Sequence, residues 1–263
     1  MNKNLIPAAT VLLLRDSKDG IEVLMVKRSK KSPFGNLYVF PGGKIDDDDC
    51  HKDWKFHCDG HNESKASEIL GLSSNGLSYW IACIRESFEE VGILLAKRKS
   101  GEKLNLKGHD KERFDMYRKD LINQKISFLE ICEKEDLMLS TENIAPLSHW
   151  ITPDFEIKRF DTRFFIAYLP DNQIVQHDGM ELTQSLWINP NDALKQAMDG
   201  DMQMILPTTE NLKLCSSFNC AKDMLENQKN MTKNDIKPIL PKFFKENGNW
   251  NVLFPGEEGY EDH

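Results

Sequence analysis

The chain has 263 residues, of which 40% are hydrophobic and 9% aromatic, and its formal net charge is −8. This composition supports a buried core and excludes a chain that is disordered throughout. The acidic balance argues against binding to long nucleic acids, which requires a positive surface for the phosphates. A local basic patch can still bind a small phosphorylated ligand.

Targeting and redox signals are sparse. No apolar segment approaches the roughly 18 residues that cross a bilayer, so no membrane partner is expected. The first apolar run stops at Arg15 and Asp16, which is typical of a strand rather than of a signal peptide. Six cysteines are too few for a disulfide scaffold at this length and indicate a reducing compartment. We therefore expect an intracellular protein.

The first part of the chain predicts strands and turns. Pro7 to Leu14 and Ile21 to Lys27 are apolar, β-branched runs joined by a polar turn, which is typical of a strand pair. A short aromatic strand, Leu37 to Phe40, follows between glycine and proline residues. Residues 49–79 are polar with scattered apolar positions, and we interpret them as an insertion that leaves the core.

The middle of the chain predicts helices. Trp80 to Leu95 has helical spacing, and Gly92 suits the left-handed residue at a helix end. Residues 97–140 are strongly charged and then amphipathic, which indicates a second, mainly helical insertion. Later strand candidates are Leu147 to Ile151, Arg163 to Leu169 and Ser185 to Ile188.

The last part predicts two helices and a tail. Asn191 to Met198 follows a proline, and a further helix begins near Thr208 or Thr209, either of which can cap it. Residues 247–263 are rich in glycine and acid and predict a surface tail. The simplest organisation is a single α/β domain over residues 1–246.

The segment IRESFEEVGILL carries the main functional signal. On a helix, Glu86, Glu89 and Glu90 project from one face beside Arg85. Like charges so close repel each other unless a cation lies between them, and hard divalent cations favour carboxylate oxygens. Arg85 can hold a neighbouring carboxylate through a bidentate pair. The alternative is an acidic helix face in solvent.

A glycine pair upstream favours the first interpretation. VFPGG, which ends in Gly42 and Gly43, lets the backbone turn sharply and bring amides close to phosphate. Together with RESFEEVGI it resembles the two parts of the Nudix box, G-x5-E-x7-R-E-U-x-E-E-x-G-U, in which U is aliphatic. Ser87 departs from the pattern. Asp49 stands where the box has its first glutamate, and we assign it no catalytic role.

The box is interrupted, because Arg85 lies far beyond its usual distance from Gly43. This interruption resembles the branch of Nudix hydrolases that cleaves coenzyme A and acyl-coenzyme A. Two later segments, Ser148 to Pro170 and Glu181 to Leu194, are also similar to that branch. The resemblance implies an α/β/α sandwich with a mixed central sheet and helical insertions.

The resemblance also implies a chemistry. Such enzymes hydrolyse a diphosphate by attack of water with the help of Mg²⁺ or Mn²⁺. Glu86 and Glu90 are the first-choice metal ligands, with Glu89 at the same cluster. Glu86 or the more distant Glu181 orients or deprotonates the water. For Glu181, an exposed acid at a strand edge is the alternative.

The implied substrate is coenzyme A or an acyl-coenzyme A, and the implied products are adenosine 3′,5′-bisphosphate and a phosphopantetheine. Arg28 matches the associated motif, and three lysines beside it can meet phosphates; a basic surface cluster is the alternative. Phe34 and Phe40 can flank a base, although Phe40 favours core packing. The lysines are Lys27, Lys30 and Lys31.

Other possibilities remain open at this point. Arg159 and Arg163 support the ligand or simply pair with Asp161. Cysteine and histidine residues in 49–79 can bind zinc or be ordinary polar loop residues. The substrate can instead be a nucleotide sugar, a dinucleotide or an RNA cap, and the protein can be a catalytically silent binder. The family association is peroxisomal, but the final Glu-Asp-His is not an SKL-type address, so cytoplasmic and mitochondrial locations remain open.

Overall fold

A computed structural model describes residues 5–30, 35–179, 181–246 and 248–262 of the chain. Its central element is a mixed sheet built on two long apolar strands, β1 (Ile6–Ser17) and β2 (Gly20–Arg28), which pair antiparallel. The further strands are, in chain order, β3 (Tyr38–Val39), β4 (Gly42–Lys44), β5 (Ala96–Arg98), β6 (Leu137–Leu139), β7 (Ile144–Ile151), β8 (Phe160–Tyr168), β9 (Leu182–Ile188), β10 (Pro238–Ile239), β11 (Lys242–Glu246) and β12 (Asn249–Leu253).

The main sheet has the order β10-β7-β8-β1-β2-β3, with β4 paired to β1 and β9 paired to β2. Strand β1 runs parallel to β8 and antiparallel to β2, so the sheet is mixed. β5–β6 and β11–β12 form two separate antiparallel pairs. The register of β4, which pairs Gly42 with Thr10 and Gly43 with Ala9, places the glycine turn against the centre of the sheet.

Helices cover both faces of this sheet. Alternate residues of β1 serve two cores, since Val11 and Leu13 belong to one hydrophobic cluster and Leu12 and Leu14 to the other. Residues of α1 to α4 pack in the first cluster and residues of α5 to α7 in the second. The architecture is therefore the predicted α/β/α sandwich. The helices are α1 (Glu63–Leu70), α2 (Leu77–Val91), α3 (Gly108–Ile122), α4 (Phe128–Lys134), α5 (Pro190–Asp199), α6 (Leu206–Ser216) and α7 (Ala221–Lys229).

Most predicted elements are confirmed within a few residues, but one helix start is wrong. The expected caps, Thr208 and Thr209, lie inside α6, which begins at Leu206 with Ile205 in the capping position and no side-chain cap. Pro207 sets the first turn instead, because its fixed φ suits a helix start and it has no amide to satisfy.

The segment 49–79 is closer to the core than its polar sequence indicates. Trp54 and Ala66 are almost fully buried, and both belong to the same cluster as Trp80 of α2. Trp54 also contacts Phe128 of α4 in a tilted arrangement, with the ring centroids 5.5 Å apart. The expectation that this segment leaves the core is therefore wrong: its few apolar residues pack in the first core cluster, on one face of the sheet.

The segment 97–140 contains the predicted helices. The rings of Phe114 in α3 and Phe128 in α4 both pack on the ring of Phe88 in α2, with centroid distances of 6.4 Å. On the solvent side of these helices, the Glu135 carboxylate accepts hydrogen bonds from Arg98, Arg113 and Tyr117. The second insertion thus also rests on α2.

The C-terminal residues form a strand pair separate from the main sheet and contact its strand β7. Residue 247, the expected start of the tail, lies outside the described residues, and on its two sides Glu246 of β11 pairs with Asn249 of β12. Phe254 then packs edge-on against Trp150 of β7 at 6.2 Å. The division at 246/247 is thus bridged by strand pairing and by core contact. Over the described residues, no helix is long and apolar enough to cross a membrane.

The start of α2 is held by a side chain from the first insertion. The Glu63 carboxylate accepts hydrogen bonds from the amides of Gly76 and Leu77, each at 3.1 Å, and from the Ser67 hydroxyl at 2.6 Å. Free amides at a helix start need such acceptors, and a carboxylate there also interacts favourably with the helix dipole. Glu63 therefore caps α2 from a different helix.

Replacing Glu63 with alanine should lower the free energy of unfolding by about 1 kcal/mol, the usual cost of losing a helix cap. Urea denaturation followed by circular dichroism measures the change. Glu68→Ala, on the same helix, is the control and should stay within about 0.5 kcal/mol of the wild type. Equal midpoints for the two variants would show that the cap contributes nothing.

Candidate active site

Helix α2 carries the acidic residues of the site on a firmly packed support. Its apolar side, which includes Trp80 and Phe88, is buried in the first core cluster. The helix ends where predicted, at Gly92, whose φ of 71° is left-handed and whose amide donates to the Phe88 carbonyl. Packing and capping together leave the side chains of the last two turns little freedom.

Arg85 is the centre of the site, and Asp49 is its main partner. The guanidinium Nε donates to Asp49 Oδ1 at 2.9 Å and Nη2 donates to Asp49 Oδ2 at 2.9 Å. Both side chains are buried, with 5% and 1% of their surface exposed. This is the bidentate pair expected for Arg85, and the fork geometry makes it strong. It also connects the two parts of the interrupted motif, which are 36 residues apart.

The remaining Arg85 donors reach helix α2 and the glycine turn. Nη1 lies 2.9 Å from Glu86 Oε1 and 3.4 Å from Glu89 Oε2, while Nη2 donates to the Lys44 carbonyl at 3.1 Å. One guanidinium thus orients two of the predicted glutamates and fixes the strand that carries the glycines.

The glycine pair lies directly against the glutamates. The Gly42 amide donates to Glu90 Oε2 at 3.0 Å. A Cβ on Gly43 would stand 2.3 Å from Glu86 Oε1, and one on Gly42 would stand 2.5 Å from the Ala9 carbonyl. Any side chain at either position would displace the backbone or the carboxylate. The two glycines therefore let their strand lie directly against the carboxylates, and their predicted role at a phosphate stays a prediction.

The carboxylates are crowded and partly desolvated. Burial raises the pKa of Glu86 to about 7; Arg85 opposes the shift and Glu89 adds to it. Burial also raises the pKa of Glu90 well above its usual value, and Glu86 adds to that shift. The pKa of Glu89 is raised for the same first reason, with Arg85 acting against it. The three predicted glutamates therefore form one interacting group rather than a solvated face.

Arg28 and Glu181 lie at the edge of this group. Arg28 lowers and Glu181 raises the pKa of Glu90, so the charges of both reach it. Their own side chains are 3.9 Å apart, and that of Glu181 is 64% exposed. Asp178 connects Glu181 to the end of α2. The Asp178 amide donates to the Glu90 carbonyl, and the Asp178 carboxylate accepts from the Glu181 amide.

The chemistry of these donors fits a divalent cation. Three carboxylates that repel one another offer the hard oxygen atoms that such ions prefer, and a bound ion relieves the repulsion. Glu86, Glu89 and Glu90 are the candidate ligands. In the described part of the chain, no three His, Cys, Asp or Glu side chains are already arranged as a metal centre. Arg85 and the Gly42 amide hold these three carboxylates instead.

Other predicted residues lie elsewhere. Lys27 Nζ sits 5.0 Å from the centre of the Tyr38 ring, and Phe40 is buried in the second core cluster, as its alternative interpretation expected. Arg163 contacts Asp161 at 3.4 Å, whereas Arg159 pairs with Asp154. Lys31 and Phe34 lie outside the described residues.

The candidate zinc ligands of residues 49–79 are used otherwise. His57 contacts the Leu137 carbonyl through Nδ1, and His61 packs edge-on against Trp80. Burial raises the pKa of Cys58 to about 12, which disfavours the thiolate that zinc binds. These contacts agree with ordinary structural roles.

Sequence reasoning missed two residues that support the site. Glu63 caps helix α2, and Asp178 ties the loop before Glu181 to the end of that helix. Glu63 lies in a segment that resembles a polar loop, so the sequence around it does not predict a contact with the start of α2. Asp178, three residues before Glu181, resembles any acidic turn residue.

Comparison with known proteins identifies the class. A crystal structure of a NUDIX hydrolase from Alicyclobacillus acidocaldarius superposes with a TM-score of 0.71 and 23% identity, over 86% of this chain and 97% of that one. The fold is that of a Nudix hydrolase. The family model described as the NUDT19 Nudix domain matches residues 62–214, more than half of the chain, and the protein belongs to this family of Nudix hydrolases.

Two curated relatives carry a more specific name. The acyl-coenzyme A diphosphatase NUDT19 of Xenopus laevis is 31% identical over 206 residues, which is 66% of this chain and 54% of that protein. The protein of the same name from Gallus gallus is 22% identical over 92% of this chain and 73% of its own length. The matched region thus spans about half the length of the Xenopus relative. Nudix hydrolases generally use divalent metal ions.

Asp49→Ala should destabilise the protein by about 3 kcal/mol, because it leaves the buried Arg85 without its main carboxylate. The urea midpoint of unfolding measures this loss. The matched control is Asp47→Ala, an exposed neighbour in the same turn, which should lie within about 0.5 kcal/mol of the wild type. A wild-type midpoint for Asp49→Ala would contradict a structural role for the pair.

Proposed function

We propose that this protein hydrolyses the diphosphate bond of coenzyme A or of an acyl-coenzyme A in a reaction that depends on Mg²⁺ or Mn²⁺. The products are adenosine 3′,5′-bisphosphate and phosphopantetheine or its acyl form. The observation that carries the proposal is the crowded group of Glu86, Glu89 and Glu90, of which Glu90 is buried and Glu86 and Glu90 lie against the Gly42–Gly43 turn. The names of the two relatives support the choice of substrate.

Glu86 and Glu90 would hold the metal, with Glu89 as a further donor beside them. When bound, the metal supplies positive charge for the phosphate oxygens and makes water more acidic. Arg85 holds Glu86 and Glu89 in place, and the Gly42 amide holds Glu90. Because Asp49 and the Lys44 carbonyl fix Arg85 in turn, the donors need little reorganisation before the reaction.

Arg28 is placed to meet the negative charge of the substrate. Its Nε is buried and has no hydrogen-bond partner in the described part of the chain, and its contact with Glu181 is long. A phosphate oxygen would satisfy this donor, and the planar guanidinium suits phosphate geometry. The turn at Gly42 and Gly43 adds a backbone with no side chain to block the approach of the substrate.

Glu181 is the candidate base for the attacking water. Its side chain is largely exposed, so it can reach a water molecule, while its backbone is fixed by Asp178 and by Ser29, whose amide donates to the Glu181 carbonyl at 2.7 Å. The charge of Glu181 acts on Glu90, which supports a role for Glu181 beside the proposed metal ligands. Glu86, with a pKa raised to about 7, is the second candidate for this role.

Glu90→Gln should lower the rate of coenzyme A hydrolysis at least about 100-fold, since even indirect supports of a metal commonly contribute 10- to 100-fold. Chromatography of released adenosine 3′,5′-bisphosphate, with Mg²⁺ and with EDTA, measures the rate. Glu226→Gln, on α7 and far from the site, should keep the wild-type rate.

The same assay with other diphosphates tests the substrate. ADP-ribose, NADH and capped RNA should be cleaved more slowly than coenzyme A. Rapid cleavage of one of them with coenzyme A left intact would refute the substrate assignment and keep the reaction class. Binding of coenzyme A without hydrolysis of any diphosphate would instead make the protein a silent binder.

Glu181→Gln should reduce kcat by a factor of about 10² to 10⁴ with little change in KM, as expected for loss of a general base. Asp171→Asn, an exposed acid on the approach to the same loop, is the control. A wild-type kcat in Glu181→Gln would assign the base to another residue.

A further inference from the structure

A small cavity lies behind helix α2. It has a volume of about 40 Å³ and lies between the end of α2, helix α3 and residues 172–176. Phe88, Leu106 and Phe114 form its apolar side. Three cations, Lys107, Lys111 and Arg118, share the rest of the wall with Asp115 and with polar side chains of the loop. The cavity is thus half apolar and carries a positive excess.

Arg118 is the unusual member of this wall. Only 8% of its surface is exposed, and its Nε donates to the backbone carbonyl of Glu89 at 2.9 Å. Its Nη2 is buried, and no acceptor for it lies among the described residues. The charges of Asp178 and Asp115 act on it. A buried guanidinium donor without an acceptor is costly.

The two lysines extend the positive wall towards solvent. Lys111 Nζ is shared between Asp115 Oδ2 at 2.5 Å and Gln176 Oε1 at 3.1 Å. Lys107 is exposed and occupies the capping position of α3, where the free amides of a helix start also favour an anion. Asp115 is the only carboxylate in the wall, so the cations outnumber it among the lining residues.

We propose that this cavity is a phosphate-binding site, separate from the carboxylate group on the other side of α2. A cavity of about 40 Å³ has room for about three ordered waters at roughly 10–15 Å³ each. Its oxygens would satisfy the free donors of Arg118 and pair with Lys107 and Lys111. The site takes phosphate as an inorganic ion or as a phosphomonoester.

The position of the cavity connects it to the catalytic helix. Arg118 holds the Glu89 carbonyl, and the Gln176 amide donates to the Val91 carbonyl at 2.9 Å. Two residues further on, the Asp178 amide donates to the Glu90 carbonyl. A phosphate that draws Arg118 and Lys111 together would steady the last turn of α2 and the loop that leads to Glu181. This site goes beyond the proposed hydrolysis, because it concerns binding at different residues.

The direct test is titration of the full-length protein with inorganic phosphate by calorimetry, in EDTA so that no metal attracts the anion to the glutamates. The wild type should bind one phosphate, more weakly as salt increases. Arg118→Met should weaken binding by roughly tenfold, since a charge-assisted contact is lost. Lys107→Ala should weaken it by about threefold, and Lys119→Ala, an exposed lysine of α3 outside the cavity, should not change it.

Failure of the wild type to bind phosphate would overturn the proposal, and so would binding that both Arg118→Met and Lys107→Ala leave unchanged. Lys107 is exposed, so its variant decides the question if Arg118→Met does not fold. These results do not depend on hydrolysis, and loss of the proposed activity would leave them intact.

Inhibition kinetics distinguish inorganic phosphate from a phosphomonoester of the substrate as the ligand of this site. Competitive inhibition by phosphate that Lys107→Ala weakens would assign the site to a phosphomonoester of the substrate. A change in kcat at saturating substrate, also weakened in Lys107→Ala, would assign it to the free ion. Either result supports a phosphate site at this cavity, and inhibition that is the same in Lys107→Ala and the wild type would argue against it.

Discussion

The buried pair between Arg85 and Asp49 is the interaction on which the rest of the site depends. Two hydrogen bonds of 2.9 Å join residues that are far apart in the chain. Because the pair is desolvated, its contribution comes from its bidentate geometry and from the further acceptors around the same guanidinium. Once Arg85 is fixed, Glu86, Glu89 and the strand of the glycine turn are fixed with it.

The site keeps more negative charge than this one arginine can balance. Burial and mutual repulsion raise the pKa values of the glutamates, and the crowding has a cost that the folded core must offset. Glu90 depends on a backbone amide instead of on a cation, and it can have that amide only because Gly42 and Gly43 lack side chains. Crowded carboxylates beside a bare backbone turn are an arrangement suited to charge neutralisation by a ligand.

The two insertions, residues 49–79 and 97–140, hold α2 and its glutamates in position. The first contributes Glu63 to the start of α2 and Trp54 to the core beneath it. The second packs Phe114 and Phe128 against Phe88, on the side of α2 that faces away from the glycine turn. The catalytic helix is therefore held at its start, along its apolar side and at its end, which explains how a long interruption of the motif leaves the glutamates in register.

Local patterns in the sequence predict the strands and helices whose formation depends on residues close together in the chain. Alternating apolar residues predict β1 and β2, the spacing of Glu86, Glu89 and Glu90 predicts one helix face, and Gly92 predicts where that helix ends. These features depend on neighbours within a few residues, so the chain encodes them directly. The chemistry of the acidic face followed from the same short segment together with the glycine pair.

The tertiary structure alone decided which distant groups meet. No local pattern indicates that Asp49 pairs with Arg85, that Glu63 caps α2, or that the polar segment 49–79 covers the core. The start of α6 was predicted wrongly, because two threonines in the sequence offered good helix caps. In the structure, a proline and the packing of the helix set an earlier start. Contacts between residues far apart in the chain depend on how whole elements pack, and many partners with the same charge or polarity are available until that packing selects one.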